Sequence, residues 1–368
     1  MKFEMFGRVD GTKLNLEIHT AAGTQKQSMN LPENTVLPDT MLKRAAKEGL
    51  TIGQKIKAPF FDPTSFVFSE AELEVIEKTT LPEAEGRTVY RLQANYMGLT
   101  MTAWIDEEGR TLQEEAANIV TKVETKEQAL TLGWKSGDLP TDLIDVVSVK
   151  TAVKLKNPRT AVLLKLRVGG IDPASYDFDD DRQDLAGDVV TIRVEDLPLT
   201  DVTIPVEDEA YAKYLEATPT IQVNDRAIRE KTKEIVGEER NILKAAQAIE
   251  RWVFETLEKK PLVSIPSARD VLDIKRGDCN EHATLFTALA RAAGIPTRIE
   301  VGLVYNKDGF YYHAWNSVWV GRWLAVDPTF GQFPADAAHL KVLSGDLDAQ
   351  IPLMNMIGKL TIDVLEES

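Results

Sequence analysis

The chain has 368 residues, of which 43% are hydrophobic, and a formal net charge of −15 at pH 7. A chain of this length can bury a sizeable core, and ordinary domain sizes predict two or three domains. The negative charge provides no attraction to phosphate backbones or anionic lipid, so neither nucleic acid nor a membrane surface is expected as a partner.

Cys279 is the single cysteine, which excludes an intramolecular disulfide and a thiolate metal cluster. Its thiol is therefore either core filler or a nucleophile. No run approaches the ~18 apolar residues of a spanning helix, and the start at Met1 lacks the apolar segment of a secretory signal. If a signal peptide was removed, the protein is expected in the periplasm or the extracellular space; otherwise it is expected in the cytoplasm. The strand-like start of the sequence favours the first alternative.

The N-terminal part of the chain has the pattern of antiparallel strands. From Met1 to about Glu127, short alternating segments are separated by turn dipeptides such as Asp10-Gly11. One helix is predicted from Pro38 to Gly49, because Pro and Asp can open a helix and Gly can end it. We therefore expect a β-rich N-terminal domain over residues 1–141.

Residues 142–206 form a second strand-rich stretch, which is predicted to be a sandwich-like or connecting β region. Within it, Ala161 to Val168 (AVLLKLRV) is the candidate for a buried strand. The segment from Asp177 to Asp184 mimics the opening of a calcium loop, but Arg182 stands where the sharp turn needs glycine. This segment is predicted to be a solvated turn.

Beyond Glu207 the pattern changes from strands to helices, and residues 207–368 are predicted to form one domain. Apolar residues recur at helical spacing from Ile228 to Val236 and from Asn241 to Leu257. The predicted fold class is α+β, with this C-terminal domain preceded by mainly antiparallel β domains.

The sequence RGDC precedes a third predicted helix and places Cys279 in its first turn. Asp278 can cap the helix, and Gly294 suits the position after its end. Unpaired N–H groups and the helix dipole favour a thiolate there, and the same N–H groups can stabilise an oxyanion. At about 3.6 residues per turn, Cys279 shares a face with Ala283 and Phe286, so the thiol is expected at the mouth of a cleft.

One downstream strand (GFYYHAWNSVWV) and its returning partner (WLAVD) supply a histidine and a carboxylate. A two-residue loop between them would place Asp327 on the face away from His313. A three-residue loop, Val320 to Arg322, would place it opposite Trp315 and diagonal to His313 on the same face. In that arrangement Asp327 can fix the imidazole tautomer while the other ring nitrogen faces the Cys279 thiol.

His282 is an alternative base, because it follows Cys279 by three residues on the same helix. No acidic residue is spaced to orient it from a neighbouring strand, so His313 is preferred. His19 and His339 have no comparable neighbours in the sequence and are expected to be ordinary exposed or core histidines.

Three ordered motifs, RGDCNEHATLFTALARAAGIPTR, YYHAW and WLAVDPTFG, resemble the transglutaminase-like core domain of bacterial proteins, a relative of the papain-like cysteine peptidases. The resemblance covers roughly Tyr211 to Leu343. It implies a papain-like fold in which Cys279 is the nucleophile, His313 the general base and acid, and Asp327 the orienting residue.

Animal transglutaminases use calcium and an upstream tryptophan near the oxyanion, and neither feature matches a definite position in this chain. Trp252, Trp315 and Asp278 are kept as candidates for substrate binding or oxyanion stabilisation. No metal or cofactor is expected. Extracytoplasmic placement and proteolytic or amide-hydrolysing roles are common among bacterial proteins with this core, and the resemblance implies the same for this chain.

The expected reaction is attack of Cys279 on a peptide or side-chain amide to form an acyl-thioester, with protein or peptide substrates as partners. Hydrolysis by a protease or amidase is favoured, because the sequence shows no signal for an amine route or for exclusion of water. Transamidation, which crosslinks protein glutamine, is the alternative. A non-catalytic peptide-binding scaffold is a second class of function, against which the intact Cys, His and Asp argue.

Overall fold

The computed structural model of the chain describes residues 4–20, 23–62, 67–81, 87–96, 99–116, 119–127, 148–260, 267–345, 353, 356 and 358–368. The predicted domain boundary between residues 141 and 142 lies outside these residues. Within the described ranges, no helix is long and apolar enough to cross a membrane.

The described N-terminal part contains two antiparallel sheets and the helix α1 (Pro38–Glu48). The sheets have the strand orders β1-β2-β3 and β4-β5-β6-β7-β8-β9. Their elements are β1 (Glu4–Asp10), β2 (Lys13–Thr20), β3 (Gly23–Asn30), α1 (Pro38–Glu48), β4 (Lys55–Asp62), β5 (Val67–Thr80), β6 (Thr88–Tyr96), β7 (Leu99–Ile105), β8 (Thr111–Ala116) and β9 (Ile119–Lys122). Met41 and Leu42 of α1 pack with Phe60, Val75 and Ile105 in one hydrophobic cluster. The predicted β-rich character and the predicted helix are both confirmed.

The helices beyond residue 207 each begin at a side-chain cap. Asp225, Asn241, Ser267 and Asp278 accept hydrogen bonds from backbone N–H groups of the first turn. The helices are α2 (Arg226–Val236), α3 (Ile242–Thr256), α4 (Ala268–Ile274) and α5 (Cys279–Ala292). The sequence predicted α2, α3 and α5. It missed α4, whose seven residues are too short to show a clear apolar period.

Two larger sheets hold the C-terminal part together. One has the order β10-β17-β16-β19 with β18 paired to β17, and the other has the order β12-β13-β11-β20. The strands are β10 (Val149–Lys150), β11 (Leu163–Gly169), β12 (Gln183–Ala186), β13 (Val189–Arg193), β14 (Glu258–Lys259), β15 (Arg276–Gly277), β16 (Thr297–Asn306), β17 (Gly309–Trp319), β18 (Trp323–Val326), β19 (His339–Ser344) and β20 (Thr361–Glu367). In β11, Leu164, Leu166 and Val168 alternate toward the core, as predicted for a buried strand.

One hydrophobic cluster runs through this whole part of the chain, from Leu155 to Ile362. The region predicted as connecting β structure, 142–206, contributes to it, because β10 pairs with β17 and β11 pairs with β20. The described sheets are mainly antiparallel and the helices pack on them, so the predicted α+β class is confirmed. The domain boundaries themselves stay predictions.

The acidic segment from Asp177 to Asp184 is only in part the solvated turn that the sequence predicted, because its exposed aspartates alternate with buried residues. Arg182 is buried, and its Nη1 lies 2.5 Å from Glu195 Oε2. The Nζ of Lys341 lies 2.6 Å from Asp180 Oδ2. Basic and acidic partners from distant positions therefore tie this segment to the protein body, and no local pattern reveals them.

Candidate active site

The start of α5 is held by a reciprocal pair of capping hydrogen bonds. Asp278 Oδ1 accepts from the N–H of Asn280 at 2.9 Å, and Glu281 Oε2 accepts from the N–H of Asp278 at 2.7 Å. The residue before the cap must be glycine, because a Cβ at Gly277 would lie 2.2 Å from the Cβ of Glu281. Burial, followed by the neighbouring Asp278, raises the pKa of Glu281 to about 8.

Cys279 is the first residue of α5 and is half-buried. The residues that share its face, Ala283, Phe286 and Ala290, are completely buried in the hydrophobic cluster. The thiol therefore lies where the helix leaves the core, within reach of solvent, while Asp278 accepts from the N–H groups of Asn280 and His282. This is the placement that the sequence predicted.

The β17–β18 hairpin has the three-residue loop that the predicted chemistry requires. Trp319 pairs with Trp323, which leaves Val320 to Arg322 as the loop. Its middle residue, Gly321, has a φ of 97°, a conformation that favours glycine. In this register Asp327 falls just beyond β18 on the face of His313, and its Oδ2 lies 2.8 Å from His313 Nε2.

All the acceptor positions of the Asp327 carboxylate are occupied. Oδ1 accepts from the N–H groups of Thr329 (2.6 Å) and Phe330 (3.1 Å), and Oδ2 lies 2.8 Å from His313 Nε2 and 2.9 Å from His339 Nε2. Burial alone would raise the pKa of Asp327, but the two imidazoles hold it well below its usual value. The carboxylate therefore stays ionised and acts only as an acceptor.

His313 is placed between this carboxylate and the thiol. Burial lowers the pKa of His313, but the charge and hydrogen bond of Asp327, with further contributions from the Cys279 side chain, raise it to about 9. Because Nε2 is hydrogen-bonded to Asp327, Nδ1 is the ring nitrogen that remains for the Cys279 thiol. The rings of Phe330 and Trp315 stack on the imidazole at centroid distances of 5.0 and 6.0 Å, which limits its rotation.

His339 was expected to be an ordinary histidine, and the structure corrects this. It is completely buried, and its two nitrogens reach Asp327 Oδ2 and Asp336 Oδ1, each at 2.9 Å. Burial lowers the pKa of His339, and the two carboxylates more than offset this and raise it. The sequence shows only that Asp336 precedes His339 by three residues, which is too common a pattern to predict the site.

His282, the alternative base, is oriented by the helix rather than by a carboxylate. Its Nδ1 lies 2.6 Å from the backbone carbonyl oxygen of Asp278, and the ring is completely buried. Burial lowers its pKa, so the ring is neutral near pH 7. The Cys279 side chain contributes to the pKa of His313 and not to that of His282.

Glu250 of α3 is a buried carboxyl group next to the site that the sequence did not reveal. It is 5% exposed, and its Oε1 has no hydrogen-bond partner among the described residues. Burial, followed by the charge of Asp327, raises the pKa of Glu250 to about 7. A glutamate in an amphipathic helix is normally predicted to lie on the polar, solvent-facing side. The burial of Glu250 is therefore evident only from the folded structure.

The three additional candidates, Trp315, Asp278 and Trp252, have different positions relative to the site. Trp315 is 1% exposed and stacks on His313, so it supports one face of the imidazole. Asp278 caps α5. Trp252 lies against α2, where Lys231 Nζ is 5.5 Å from its ring centroid, and no contact found among the described residues joins it to Cys279.

His313, Asp327 and His339 are the described residues whose ligand-type atoms gather closely enough for a metal, within 4.8 Å of one another. However, the Nε2 atoms of His313 and His339 both lie at hydrogen-bond distance from Asp327 Oδ2. The geometry fits an internal hydrogen-bond network. Together with Cys279, it provides a thiol, an imidazole and a carboxylate in series, which is the arrangement that nucleophilic acyl transfer uses.

Comparison with known protein families agrees with this arrangement. Residues 229–328 match the model of the Transglutaminase-like superfamily. The matched span contains Cys279, His313 and Asp327, whereas His339 lies beyond it. The resemblance carried by the three sequence motifs is confirmed.

An uncharacterized protein of Haemophilus influenzae is 35% identical over 108 residues, which are 27% of this chain and 29% of that protein. Among solved structures, a candidate cysteine protease from Cytophaga hutchinsonii has a TM-score of 0.37 at 14% identity and covers 56% of this chain and 87% of its own. The periplasmic domain of TgpA from Pseudomonas aeruginosa has a TM-score of 0.33 at 15% identity and covers 52% of this chain and 91% of its own. These scores are low, so the domain assignment rests on the family match.

Proposed function

We propose that this chain, which carries a transglutaminase-like core domain over residues 229–328, is a cysteine-dependent acyl-transfer enzyme that hydrolyses peptide or side-chain amides. One observation carries the proposal. The half-buried Cys279 at the start of α5 helps to raise the pKa of His313, whose Nε2 is 2.8 Å from the ionised Asp327. The substrate is a protein or peptide, because the scissile group is an amide.

The first half of the reaction forms a thioester. The Cys279 sulfur attacks the amide carbon, and the carbonyl oxygen becomes an oxyanion that the backbone N–H of Cys279 can stabilise. His313, held as an imidazolium, gives its proton to the leaving nitrogen, and the C–N bond breaks. Asp327 remains ionised throughout and fixes the ring, since its carboxylate is saturated with donors.

The second half releases the acyl group. His313, now neutral, takes a proton from water, the water oxygen attacks the thioester carbon, and the C–S bond breaks to restore the Cys279 thiolate and the His313 imidazolium. The products are an amine and a carboxylic acid. Water needs no binding site of its own, whereas an amine acceptor does, and we therefore favour hydrolysis over transamidation.

The test is to incubate the protein with a peptide library, with and without a primary amine, and to analyse the products by mass. Cleavage of a peptide bond adds the mass of water to the summed fragments, deamidation replaces ammonia by water, and transamidation replaces ammonia by the added amine. Cys279→Ala is the matched control, since it removes the only thiol. Products that persist in that variant, or no product over a broad library, would argue against the proposal, and the second result would favour a binding scaffold.

A further inference from the structure

The position of His339 dictates its protonation. Nε2 lies 2.9 Å from Asp327 Oδ2, and Nδ1 lies 2.9 Å from Asp336 Oδ1, with the ring fully buried between them. An ionised carboxylate only accepts hydrogen bonds, so the nitrogen that faces each one must carry a hydrogen. A ring with hydrogen on both nitrogens is an imidazolium cation.

We propose that His339 is a positioning residue that stays positively charged while the enzyme works, fixing the Asp327 carboxylate and neutralising part of its charge. His313 can then release its proton during acyl transfer more readily than it could beside an uncompensated carboxylate. The catalytic consequence rests on the proposed function, whereas the charge of His339 is a property of the folded chain. His339 and Asp336 both lie beyond the span that the family model matches.

The groups around His339 form a row of alternating charge. Arg159 Nη1 lies 3.2 Å from Asp336 Oδ2, so the order is Arg159, Asp336, His339 and Asp327. The Arg159 guanidinium also lies 4.7 Å from the ring centroid of Phe330. Each carboxylate in the row therefore has a cation on at least one side, which offsets the cost of burying it.

Two other titratable groups lie near this row, Glu250 and His282, and their charge depends on pH. Burial, followed by the charge of Asp327, raises the pKa of Glu250 of α3 to about 7, and burial lowers the pKa of His282 of α5. Glu250 is therefore largely uncharged below about pH 6 and about half ionised at pH 7, and His282 is neutral near pH 7. His313 of β17 is the remaining group, and its ring centroid lies 5.7 Å from that of His339.

At this separation the charge of His339 opposes protonation of His313. Removing a unit charge at such a distance, in an effective dielectric of about 20, shifts a pKa by roughly one unit or more. A neutral replacement of His339 is therefore expected to raise the pKa of His313. A residue that served only to fill space would not have this effect.

The charge state is tested by ¹⁵N NMR of histidine side chains in the Cys279→Ala protein, which needs no enzymatic activity. The chain has 4 histidines, and His339→Gln identifies the signals of interest. If that variant does not fold, Asp336→Asn identifies them through the altered Nδ1 shift. We expect the imidazolium pattern of His339 to persist above the ordinary histidine pKa of about 6.5. The pattern of a neutral ring at about pH 7 would overturn the proposal.

The effect on His313 is tested with the intact thiol, by measuring the rate of Cys279 alkylation against pH. The inflection at high pH reports loss of the His313 proton, and in His339→Gln we expect it to rise by roughly one pH unit. If the folded variant had the same inflection pH as the parent, His339 would act only as a packing residue. If the parent cleaves no peptide at all, the proposed function fails, but both measurements on His339 still give an answer.

Discussion

The two halves of the candidate site are stabilised in different ways. The helix half, at the start of α5, uses hydrogen bonds between residues no more than four positions apart, among Asp278, Glu281 and His282. The sheet half joins Asp327 to His313, 14 positions earlier, and to His339, 12 positions later. A change in the helix half removes a cap, whereas a change in the sheet half leaves buried donors or charges unpaired, so the sheet half should be far less tolerant.

The largest effect is expected where the halves meet. Cys279→Ala should abolish turnover, because no other thiol exists in the chain. His313→Ala should come close to this, since the imidazole serves both the attack and the departure of the amine, and members of one unit do not contribute additively. Steady-state kinetics on a peptide that the parent cleaves measure both losses.

His282→Asn is the matched control, because it alters a buried histidine of the helix half. It should retain most of the turnover. A folded His313→Ala protein with parental turnover, or a His282→Asn protein without any, would reassign the base.

The next effect comes from removing the negative charge of the sheet half. In Asp327→Asn the amide presents only one acceptor oxygen, so some of the four N–H donors lose their partner. By analogy with serine triads, we expect kcat to fall by about 10³- to 10⁴-fold. Thermal unfolding must be measured alongside kcat, because the fold is expected to survive with lower stability. Near-normal kcat would show that Asp327 is structural.

A smaller, pH-dependent effect is expected from Glu250. Its pKa is raised from 4.5 to about 7, first by burial and then by Asp327, so the folded state holds a proton that the unfolded state has lost over this range. The stability of the parent should therefore fall as pH rises from about 4.5 to 7, and Glu250→Gln should remove that fall. Urea unfolding should show the variant gaining about 2 kcal/mol on the parent between about pH 5 and pH 8. If the variant and the parent differed in free energy of unfolding by the same amount at both pH values, Glu250 would not be a buried, protonated carboxyl group.

The smallest effect is expected from the cap of α5. Asp278→Ala should lower the free energy of unfolding by about 1 kcal/mol, as should Asp225→Ala, which removes the equivalent cap of α2. Only Asp278→Ala should also slow alkylation of Cys279, because only that helix start holds the thiol. Equal alkylation rates in the two variants would show that the cap does not affect the nucleophile.

The contrast between the halves also explains what the sequence could predict. The placement of Cys279 followed from local signals, a capping residue before the helix and a glycine after it. The pairing of His313 with Asp327 required one choice between two loop lengths, and alternation along the strands then set the face. The strands of the N-terminal part and helices α2 and α3 were predictable from apolar periodicity for the same reason.

The missed features depend on residues that meet only in the folded chain. His339 meets the carboxylates of Asp327 and Asp336, Glu250 is buried near the charge of Asp327, and Arg182 pairs with Glu195. No local pattern encodes such contacts. The catalytic roles of Cys279, His313 and Asp327 stay predictions, and they need a direct chemical test.

That test is the rate at which iodoacetamide labels Cys279 as a function of pH, in the parent and in His313→Ala. The chain has one cysteine, so intact mass reports its labelling without interference. We predict fast labelling of the parent at about pH 6, where an ordinary thiol is almost entirely protonated, and slow labelling of His313→Ala until about pH 8.5. Slow labelling of both proteins, with one inflection near that of an ordinary thiol, would contradict the proposed thiolate and imidazolium pair.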